Sequence, residues 1–432
     1  MDIQKICVLG LGYIGLPTAS TFATNGLQVV GVDVNPAVLE TLNNGELHIH
    51  EPGLRTLVQA AIRSGNLVVR PRPEPADAFI IAVPTPFFDD KRADMRSVIS
   101  ATEAIVPHLR PGNLVVLEST SPPRTTTGLL LPILERSGLK AGVDFFLAYS
   151  PERVLPGQIL RELIENARVI GGINPASSEA GRDLYATFVR GEIILTDATT
   201  AEMVKLMENT YRDVNIAVAN EFSRLADRFG VDVWEAISLA NRHPRVNILN
   251  PGPGVGGHCI SVDPWFLVEA APDLARLIRT ARQVNDAQPE FVVELVRRTF
   301  ATQYPGSTDS LRGRNITVLG LSYKPDVDDL RESPAIEVVH LLQQAGAQVI
   351  AFEPFKTDAK LEGVTVAPSI NEAVACADAL LLMVNHHSLH SINPRTMATL
   401  SPARIAIDTV NGWASEPWNE AGYTLYRLGV RK

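Results

Sequence analysis

Residues 5–33 read KICVLGLGYIGLPTASTFATNGLQVVGVD, and this stretch decides the fold of the first part of the chain. A short apolar run leads into a turn with Gly10, Gly12 and Gly15. A helical segment follows, and then a second apolar run that ends at Asp33. A G-x-G-x-x-G turn directly between a strand and a helix is typical of dinucleotide-binding βαβ units, whereas the same glycines without that context are a weak signal.

Each glycine has its own role in such a turn. The first permits the tight turn, the second lets a pyrophosphate approach, and the third lets the helix pack on the strand. The helix N-terminus offers unpaired N–H groups and a favourable dipole to the phosphates. Asp33 can bond both ribose hydroxyls and would repel a 2′-phosphate, so we expect NAD rather than NADP. The residues expected to bind NAD are Gly10, Gly12, Tyr13, Ile14, Gly15, Asp33, Thr85 and Thr120.

Apolar runs and helical segments alternate up to about residue 195, which predicts an α/β fold with a doubly wound parallel sheet. Thr85 and Thr120 follow two of these runs, FIIAVP and LVVLEST. The ends of parallel strands are where ligands bind in such sheets, although an ordinary turn threonine would occupy the same position. We therefore expect a Rossmann-type NAD-binding domain over residues 1–197.

Residues 198–300 have a mainly helical pattern. A long helix is expected from Thr199 or Thr200, either of which can cap it, to a stop at Gly230. More helix follows residue 274, interrupted or restarted near Pro289. We expect this central helical segment to carry the cysteine loop described below.

The α/β pattern returns at residue 315, after a polar, turn-rich stretch over 301–314 that we expect to be a linker. The third domain, 315–432, resembles the first in plan and is expected to be Rossmann-like. Its first turn reads GLSYKP and lacks the three-glycine pattern, so we do not expect it to bind a second dinucleotide in the same way.

The composition excludes several classes of function. The chain has 432 residues, 45% of them apolar, and a formal net charge of −9, which argues against non-specific nucleic-acid binding. The N-terminal segment has no signal-peptide pattern, and no apolar run approaches the ~20 residues of a membrane span. Three widely spaced cysteines fit a reducing compartment, so we expect a cytoplasmic protein with no membrane contact.

The segment GPGVGGHCISVDP, residues 252–264, indicates a reactive thiol at Cys259. Gly254, Gly256 and Gly257 precede this cysteine, and Asp263 follows it by four residues. A thiol in a glycine-rich loop is a candidate covalent nucleophile, whereas the usual fate of a free cysteine is to fill an apolar core. A neighbouring cation would raise the small thiolate fraction present at neutral pH.

Three residues are candidates to assist this thiol, and each also has a simpler interpretation. Lys205 and Asn209 lie one turn apart on the same face of the long helix, but by spacing alone Lys205 would be a solvated surface residue. Asp263, followed by proline, can cap a helix and can also bond to the thiol. A metal site of His243, His258 and Cys259 matches no zinc spacing, so no metal is expected.

Along its whole length the chain resembles the UDP-glucose/GDP-mannose dehydrogenase family. The matching motifs are long and lie in family order, which makes the resemblance highly specific at family level. They are GLGYIGLPTA, AVPTPF, ESTSPP, SPERVLPGQ, TAEMVKLMENTYRDVNIA, NRHPRVNILNPGPGVGGHCISVDPWF, LIRTARQVND and YKPDVDDLRESPA.

The resemblance implies oxidation of the 6-hydroxyl of a UDP-sugar to a carboxylate with two NAD. An aldehyde forms first and is captured by Cys259 as a thiohemiacetal; a second oxidation leaves a thioester, which water hydrolyses. Lys205 and Asn209 would stabilise the oxyanions, and Asp263 would hold Cys259 and a water. Thr120 and Glu152 would border the nicotinamide and the hydrolytic water.

The resemblance also implies a substrate-binding set and a homodimer built on the central helices. Lys324 and Arg331 would reach the nucleotide sugar, and Arg245 would hold the diphosphate of a neighbouring subunit's substrate. The full expected set is Glu152, Arg153, Lys205, Asn209, Arg212, Arg245, Gly254, Gly256, Gly257, Lys324 and Arg331.

One departure from the family pattern concerns hydrolysis. UDP-glucose dehydrogenases usually carry a second glutamate four residues after the position of Glu152, and this chain has Pro156 there, with Arg153 nearby. By the same resemblance, His258 points away from UDP-glucose and toward N-acetylated sugars. The PWF that follows Asp263 and the RVLPGQ stretch favour UDP-N-acetyl-D-mannosamine, again by resemblance. The alternatives are oxidation of UDP-N-acetylglucosamine or UDP-glucose, a two-electron dehydrogenase with a structural Cys259, and a non-catalytic nucleotide-sugar-binding protein.

Overall fold

The computed structural model describes residues 3–49, 51–305 and 311–431. The backbone divides into two compact units. The first comprises Met1–Glu208 and Trp265–Leu274, and the second comprises Asn209–Pro264 and Ala275–Lys432.

The first unit contains an eight-stranded sheet in the order β3-β2-β1-β4-β5-β6-β7-β8. Only β6 and β7 pair antiparallel; the other neighbours are parallel. The expected doubly wound α/β fold is confirmed, and the antiparallel pair is a feature that the apolar runs do not reveal. The strands are β1 (Lys5–Leu9), β2 (Gln28–Val32), β3 (Leu67–Arg70), β4 (Ala78–Ile81), β5 (Leu114–Leu117), β6 (Phe146–Tyr149), β7 (Arg168–Gly172) and β8 (Ile193–Asp197).

Strand β1 shows why the runs are continuously apolar. Ile6 and Val8 belong to the core on one face of the sheet, and Cys7 and Leu9 belong to the core on the other. A parallel strand covered on both faces needs apolar side chains at every position. Cys7 is therefore a core residue, and burial raises the pKa of its thiol to about 12.

Helices follow the strands of the first unit, and two of them begin with an Asn-Pro pair. The side chains of Asn35 and Asn174 accept from backbone N–H groups of the first turns of α2 and α7, as N-caps do. The helices are α1 (Gly15–Thr24), α2 (Pro36–Asn43), α3 (Leu54–Arg63), α4 (Arg96–Ile105), α5 (Leu131–Leu134), α6 (Ile159–Glu165) and α7 (Pro175–Tyr185). Short 3₁₀ turns at Val106–His108 and Glu135–Ser137 and a π-helical turn at Thr126–Leu130 complete these connections.

Helix α8 (Ala198–Phe229) is the longest element. It ends where the sequence predicts, since Gly230 has φ +71°. Its start differs from the prediction: the carboxylate of Asp197, not a threonine, caps it by accepting from the N–H and the hydroxyl of Thr200. Asp197 ends a strand and is free to take the extended conformation that an N-cap needs.

The second unit contains a six-stranded, all-parallel sheet in the order β11-β10-β9-β12-β13-β14. Its first turn repeats the geometry of the first unit, because Gly320 has φ +91° and its N–H bonds to the carbonyl of Phe352. The predicted Rossmann-like plan is confirmed. The strands are β9 (Asn315–Leu319), β10 (Gln348–Phe352), β11 (Thr365–Val366), β12 (Ala379–Leu382), β13 (Ile405–Asp408) and β14 (Thr424–Arg427).

The remaining helices supply the central segment and cover this second sheet. They are α9 (Val233–Ala240), α10 (Asp263–Ala270), α11 (Arg276–Asp286), α12 (Gln288–Gln303), α13 (Pro334–Gln344), α14 (Ile370–Val374), α15 (His387–His390), α16 (Pro394–Leu400) and α17 (Ser415–Glu420). The restart expected near Pro289 is present, with this proline in the first turn of α12.

Helix α12 shares a core with the C-terminal sheet. Its Val292, Val296 and Phe300 pack with Ile316 of β9 and Val338 of α13. The helix continues to Gln303, into the stretch 301–314 that the sequence predicts as a linker. Residues 306–310 of that stretch lie outside the described residues.

In the described part of the chain, every helix is too short or too polar to cross a membrane.

Candidate active site

The glycine turn after β1 has the geometry that a dinucleotide needs. Gly10 has φ +93°, and a side chain there would bring its Cβ within 2.5 Å of the carbonyl oxygen of Ala82. At Gly15 a Cβ would lie 1.8 Å from the carbonyl oxygen of Gly10, so helix α1 can pack only with glycine there. A Cβ on Gly12 would meet no atom within 4 Å, so this position faces open space that a phosphate can enter.

The N-terminus of α1 is suited to an anion. Ile14 precedes the helix without a side-chain cap, and the first turn has no acidic residue, so nothing in the turn competes with a phosphate. The half-buried Asp33 carboxylate accepts from the N–H groups of Leu11 (3.0 Å) and Asn35 (2.9 Å). It thereby fixes the turn at the end of β2, where a ribose diol would bind. These residues fit NAD.

Thr85 and Thr120 lie at the same edge of the sheet as the glycine turn. They follow β4, which pairs with β1, and β5, which pairs with β4. The Ser119 hydroxyl donates to the carbonyl of Val83 at 2.7 Å and ties the two loops together. The strand order reverses at β1 and β4, which is the point where open α/β sheets bind ligands.

Glu152 lies just after β6 and has a fixed donor on each carboxylate oxygen. Oε1 accepts from the backbone N–H of Arg153 at 2.7 Å, and Oε2 accepts from the guanidinium of Arg168. Its side chain is only 8% exposed. Arg168 in turn contacts Glu118, the last residue of the LVVLE run. Sequence analysis did not identify these two residues as part of the site; a charged residue inside or beside a continuously apolar run is the signal that could have found them.

Arg153, expected to bind substrate, forms an ion pair with Glu208 at 2.5 Å and donates to the carbonyl of Ala167 at 3.0 Å. Glu208 lies on α8, three residues after Lys205. Lys205 itself is 8% exposed, so it is not a solvated surface residue, and its ammonium has no ion pair with any residue in the described ranges. A largely buried lysine without a carboxylate partner can serve an oxyanion.

Cys259 is exposed, so it does not fill a core. Its carbonyl oxygen accepts from the N–H groups of Val262 (3.1 Å) and Asp263 (2.8 Å), which sets the cysteine one turn before helix α10. Asp263 is buried at the first residue of that helix, and its Oδ2 accepts from the side-chain amide of Asn209 at 2.5 Å. The structure therefore brings Cys259, Asp263 and Asn209 into one cluster.

The glycines of the cysteine loop pack against a neighbouring segment. Gly257 has φ +83°, and a Cβ there would lie 2.8 Å from the ring of Tyr323. At Gly256 it would lie 2.4 Å from the carbonyl oxygen of Glu332, and at Gly254 it would lie 2.9 Å from Pro334. The glycines thus let the cysteine loop lie against the loop between β9 and α13.

That neighbouring loop holds Lys324 and Arg331, both expected to bind the nucleotide sugar. The carbonyl of Arg331 accepts from Gly257 N–H at 3.1 Å, which joins the two loops directly. The Arg331 guanidinium pairs with Asp329 at 2.6 Å. Burial and the nearby Arg331 charge lower the pKa of His258, so this imidazole is neutral at neutral pH.

Polar contacts also anchor the start of the cysteine loop to α8. The side chain of Asn220 accepts from Gly252 N–H and donates to Asn285, both at 2.9 Å. Arg212 and Arg245, the other expected substrate ligands, are exposed.

A cleft of about 280 Å³ lies in the second unit. Its lining is rich in side-chain amides and has no charged residue: Trp234, Ile237, Ser238, Asn241, Asn250, Asn385, Val410 and Asn411.

Comparisons with known proteins agree with this geometry. Three models of the UDP-glucose/GDP-mannose dehydrogenase family match in order: the NAD-binding domain over residues 4–189, the central domain over 199–287 and the UDP-binding domain over 317–415.

Named relatives match over almost the whole chain. A UDP-N-acetyl-D-mannosamine dehydrogenase of Methanococcus maripaludis is 46% identical, covering 99% of this chain and 97% of the relative. An NDP-N-acetyl-D-galactosaminuronic acid dehydrogenase of Ralstonia nicotianae is 49% identical, covering 96% and 98%. The solved structure of a UDP-D-ManNAc dehydrogenase from Pyrococcus horikoshii superposes with a TM-score of 0.91 at 40% identity, covering 99% of both chains.

The glycine turn with Asp33, the exposed thiol and the order of the three family domains agree with one another. The chain belongs to the UDP-glucose/GDP-mannose dehydrogenase family and is an NAD-dependent nucleotide-sugar dehydrogenase.

Proposed function

We propose that this enzyme oxidises the 6-hydroxyl of UDP-N-acetyl-D-mannosamine to a carboxylate through a thioester on Cys259. The observation that carries the proposal is the exposed Cys259 beside the buried Asp263, which is bonded to the half-buried Asn209, in a chain that also has an NAD-binding turn. NAD, when bound by Gly10, Gly12, Gly15 and Asp33, supplies the hydride acceptor.

The thiol explains how oxidation can continue past the aldehyde. An aldehyde has no hydroxyl to oxidise until a nucleophile adds to it. The Cys259 thiolate adds to the aldehyde carbon, and loss of a hydride from this thiohemiacetal gives the thioester. Water then adds to the acyl carbon, the bond to sulfur breaks, and the uronate leaves with the thiol regenerated.

The side chains that we assign to the reaction suit the charges of these steps. Lys205 and Asn209 stabilise the alkoxide of the thiohemiacetal and the oxyanion of hydrolysis. Asp263 holds Asn209 and the cysteine turn in place. Glu152, with both oxygens fixed, accepts the proton of the hydrolytic water, and Thr120 would border the nicotinamide of a bound NAD. No acid is available at Pro156, so Glu152 is the only carboxylate assigned to this step.

An N-acetylated sugar is favoured because the names of the relatives share that feature. The Methanococcus relative is named for N-acetyl-D-mannosamine and the Ralstonia relative for N-acetyl-D-galactosaminuronic acid. His258, neutral beside Cys259, suits an amide better than a cation would. UDP-N-acetylglucosamine and UDP-glucose are the alternative substrates.

We assign the UDP portion to the second unit. Lys324 and Arg331 supply positive charge on the loop beside the cysteine. The amide-lined cleft suits an uncharged, hydrogen-bonding ring such as uracil, and the Asn385 side-chain oxygen is buried there without a partner among the described residues. In this scheme residues 1–197 bind NAD, 198–300 carry the thiol and 315–432 bind UDP.

We further propose a homodimer built on α8. Large apolar side chains form one exposed stripe along this helix: Met207, Tyr211, Val218, Phe222, Leu225 and Phe229. Their spacing of three, four or seven residues is that of a helix-packing face. In such a dimer the exposed Arg245 reaches the substrate diphosphate of the partner subunit, and Arg212 lies on the same helix as the stripe.

A panel of UDP-sugars with NADH absorbance as the readout tests the substrate assignment. UDP-N-acetyl-D-mannosamine is expected to give the highest kcat/KM, and UDP-glucose the lowest. Equal or better turnover of UDP-glucose would refute the assignment to N-acetylated sugars. Tight binding of UDP-sugar and NAD without any NADH would instead identify a non-catalytic binding protein.

A further inference from the structure

The first unit contains a buried charged cluster to which Glu152 belongs. It consists of Glu118, Glu152, Arg168 and Tyr185. The side chains of Glu118, Arg168 and Glu152 are 0%, 4% and 8% exposed. One guanidinium therefore faces two carboxylates where almost no water can screen them.

Arg168 is the centre of the cluster. It donates through Nη2 to Oε2 of Glu152, and through Nη1 to Glu118 Oε1 at 3.3 Å and to the Ser150 hydroxyl at 3.0 Å. The guanidinium carbon lies 4.2 Å from the centroid of the Tyr185 ring. The Tyr185 hydroxyl donates to Oε1 of Glu118 at 2.6 Å, which leaves Glu118 Oε2 without a hydrogen-bond partner among the described residues.

Such a cluster adds little to the free energy of unfolding compared with an apolar core. The free-energy cost of removing the charges from water offsets most of their mutual attraction. Apolar residues of the same volume often stabilise a core equally well. The cluster does fix one end of Glu152, whose other oxygen is held by the Arg153 N–H, so that the carboxylate cannot rotate. A cavity of about 10 Å³, large enough for about one water molecule, opens beside Glu152, Arg168 and Glu162.

We propose that Arg168 is a positioning residue for Glu152, and that Glu118 and Tyr185 set how much of the Arg168 charge acts on Glu152. The proposal rests on the function proposed above, since it concerns the step in which water attacks the thioester. In that step the water oxygen bonds to the acyl carbon, the bond from that carbon to Cys259 sulfur breaks, and Glu152 receives the proton.

The charge of Glu118 makes this step depend on pH. Burial raises the pKa of Glu118 to about 7, against the opposing influence of Arg168. While Glu118 is neutral, the Arg168 charge acts mainly on Glu152 and holds this carboxylate in its ion pair. Once Glu118 ionises, it adds a negative charge beside Glu152, and hydrolysis becomes faster as pH rises through this range.

Other charged groups near Glu152 lie on the loop after β6, on α8 and on α6. Arg153 is paired with Glu208 of α8, and Glu162 of α6 lines the cavity. The pKa of Tyr185, raised well above its usual value by burial, keeps this hydroxyl protonated throughout. Glu118 is the member of the cluster whose pKa is raised into the neutral range.

The test measures hydrolysis separately from oxidation. We compare wild type with Glu118→Gln, Tyr185→Phe and Arg168→Lys, each mixed with excess NAD and UDP-N-acetyl-D-mannosamine. Absorbance gives the NADH burst and the steady-state rate, and intact-protein mass gives the amount of acyl adduct on Cys259. Both are measured from about pH 6 to about pH 8. Glu165→Gln, on the exposed face of α6, is the matched control. Melting curves check that each variant is folded.

For Glu118→Gln and Arg168→Lys we expect unchanged KM values for sugar and NAD, an intact NADH burst and an accumulating adduct, whereas Glu165→Gln should behave like wild type. Glu118→Gln should lose the rise in rate near pH 7 and hydrolyse about 3- to 10-fold more slowly at high pH, while matching wild type at low pH. Tyr185→Phe, which removes a donor to the ionised Glu118, should shift the rise to higher pH. If Arg168→Lys does not fold, the near-isosteric variants Glu118→Gln and Tyr185→Phe are sufficient to test the proposal.

Two results would overturn the proposal: a rise near pH 7 that persists in Glu118→Gln, or variants that weaken NAD or sugar binding without accumulating adduct. Failure of the proposed function is distinguishable, because wild type itself would then show neither two NADH per sugar nor any acyl adduct.

Discussion

The side-chain amide of Asn209 donates to Oδ2 of Asp263 at 2.5 Å, and the N–H of Asp263 donates to the carbonyl of Cys259 at 2.8 Å. A single buried carboxyl residue thus holds both an expected oxyanion ligand and the backbone of the nucleophile. Asp263 also begins helix α10, so its structural and chemical roles coincide.

Asp263→Asn should therefore damage catalysis more than folding. The variant places an amide opposite the amide of Asn209, which removes the charge-assisted bond and misorients Asn209. We expect kcat to fall by about 100-fold and stability to fall by about 1–3 kcal/mol. Steady-state kinetics and denaturant unfolding measure the two effects. Asp358→Asn, an exposed carboxylate, is the control, and wild-type kcat in Asp263→Asn would contradict the assignment.

Gly257→Ala should disturb the contact between the cysteine loop and Tyr323. The new Cβ would lie 2.8 Å from the tyrosine ring, in addition to the strain of an alanine at φ +83°. Gly363→Ala isolates that strain, because Gly363 has φ +70° with nothing within 4 Å. We expect Gly363→Ala to cost about 1 kcal/mol of stability and to leave kcat unchanged, and Gly257→Ala to cost more and to lower kcat. Equal effects of the two changes would show that the loop contact is unimportant.

Asp33→Asn should weaken the preference for NAD over NADP. The variant removes the charge that repels a 2′-phosphate and one strong acceptor for the ribose hydroxyls. The KM for NAD is expected to rise about 10-fold, with a smaller change or a gain for NADP. Because Asp33 also bonds the N–H of Leu11, a melting curve must confirm that the turn persists. An unchanged ratio of kcat/KM for the two cofactors would argue against Asp33 as the ribose ligand.

Stability should decrease as pH rises through the range in which Glu118 titrates. Burial raises the pKa of Glu118 from 4.5 to about 7, so between these values the folded protein keeps a proton that the unfolded chain has lost. This group alone then lowers the free energy of unfolding by up to about 1.4 kcal/mol per pH unit in that window, and by nothing further above it. Urea unfolding of wild type and Glu118→Gln across the window should give a flatter dependence for the variant. Identical slopes would contradict the raised pKa.

The proposed dimer predicts a change in oligomeric state. Phe222→Glu places a charge in the apolar stripe of α8 and is expected to give monomers by light scattering after size exclusion, with a large loss of activity. Val143→Glu, at a valine that is 84% exposed outside the stripe, should leave the oligomeric state unchanged. A monomeric wild type, or a dimeric Phe222→Glu, would argue against this interface.

Local patterns predicted the elements of this site better than its contacts. The glycine turn at Gly10, the alternation of strands and helices around it and the glycine-rich loop of Cys259 follow from spacing and from apolar runs, because neighbours along the chain determine them. The Asn209–Asp263 bond and the Glu118–Arg168 pair join residues 54 and 50 positions apart, so no local period reports them. Burial of Lys205 was also missed, since one helix face does not reveal what covers it.

The number of NADH formed per sugar tests the central claim most directly. With limiting UDP-N-acetyl-D-mannosamine and excess NAD, we expect two NADH and one uronate per sugar from wild type, and no release of acid from Cys259→Ser although it binds the UDP-sugar. One NADH per sugar with an accumulating aldehyde, or full four-electron oxidation by Cys259→Ser, would contradict the thioester account.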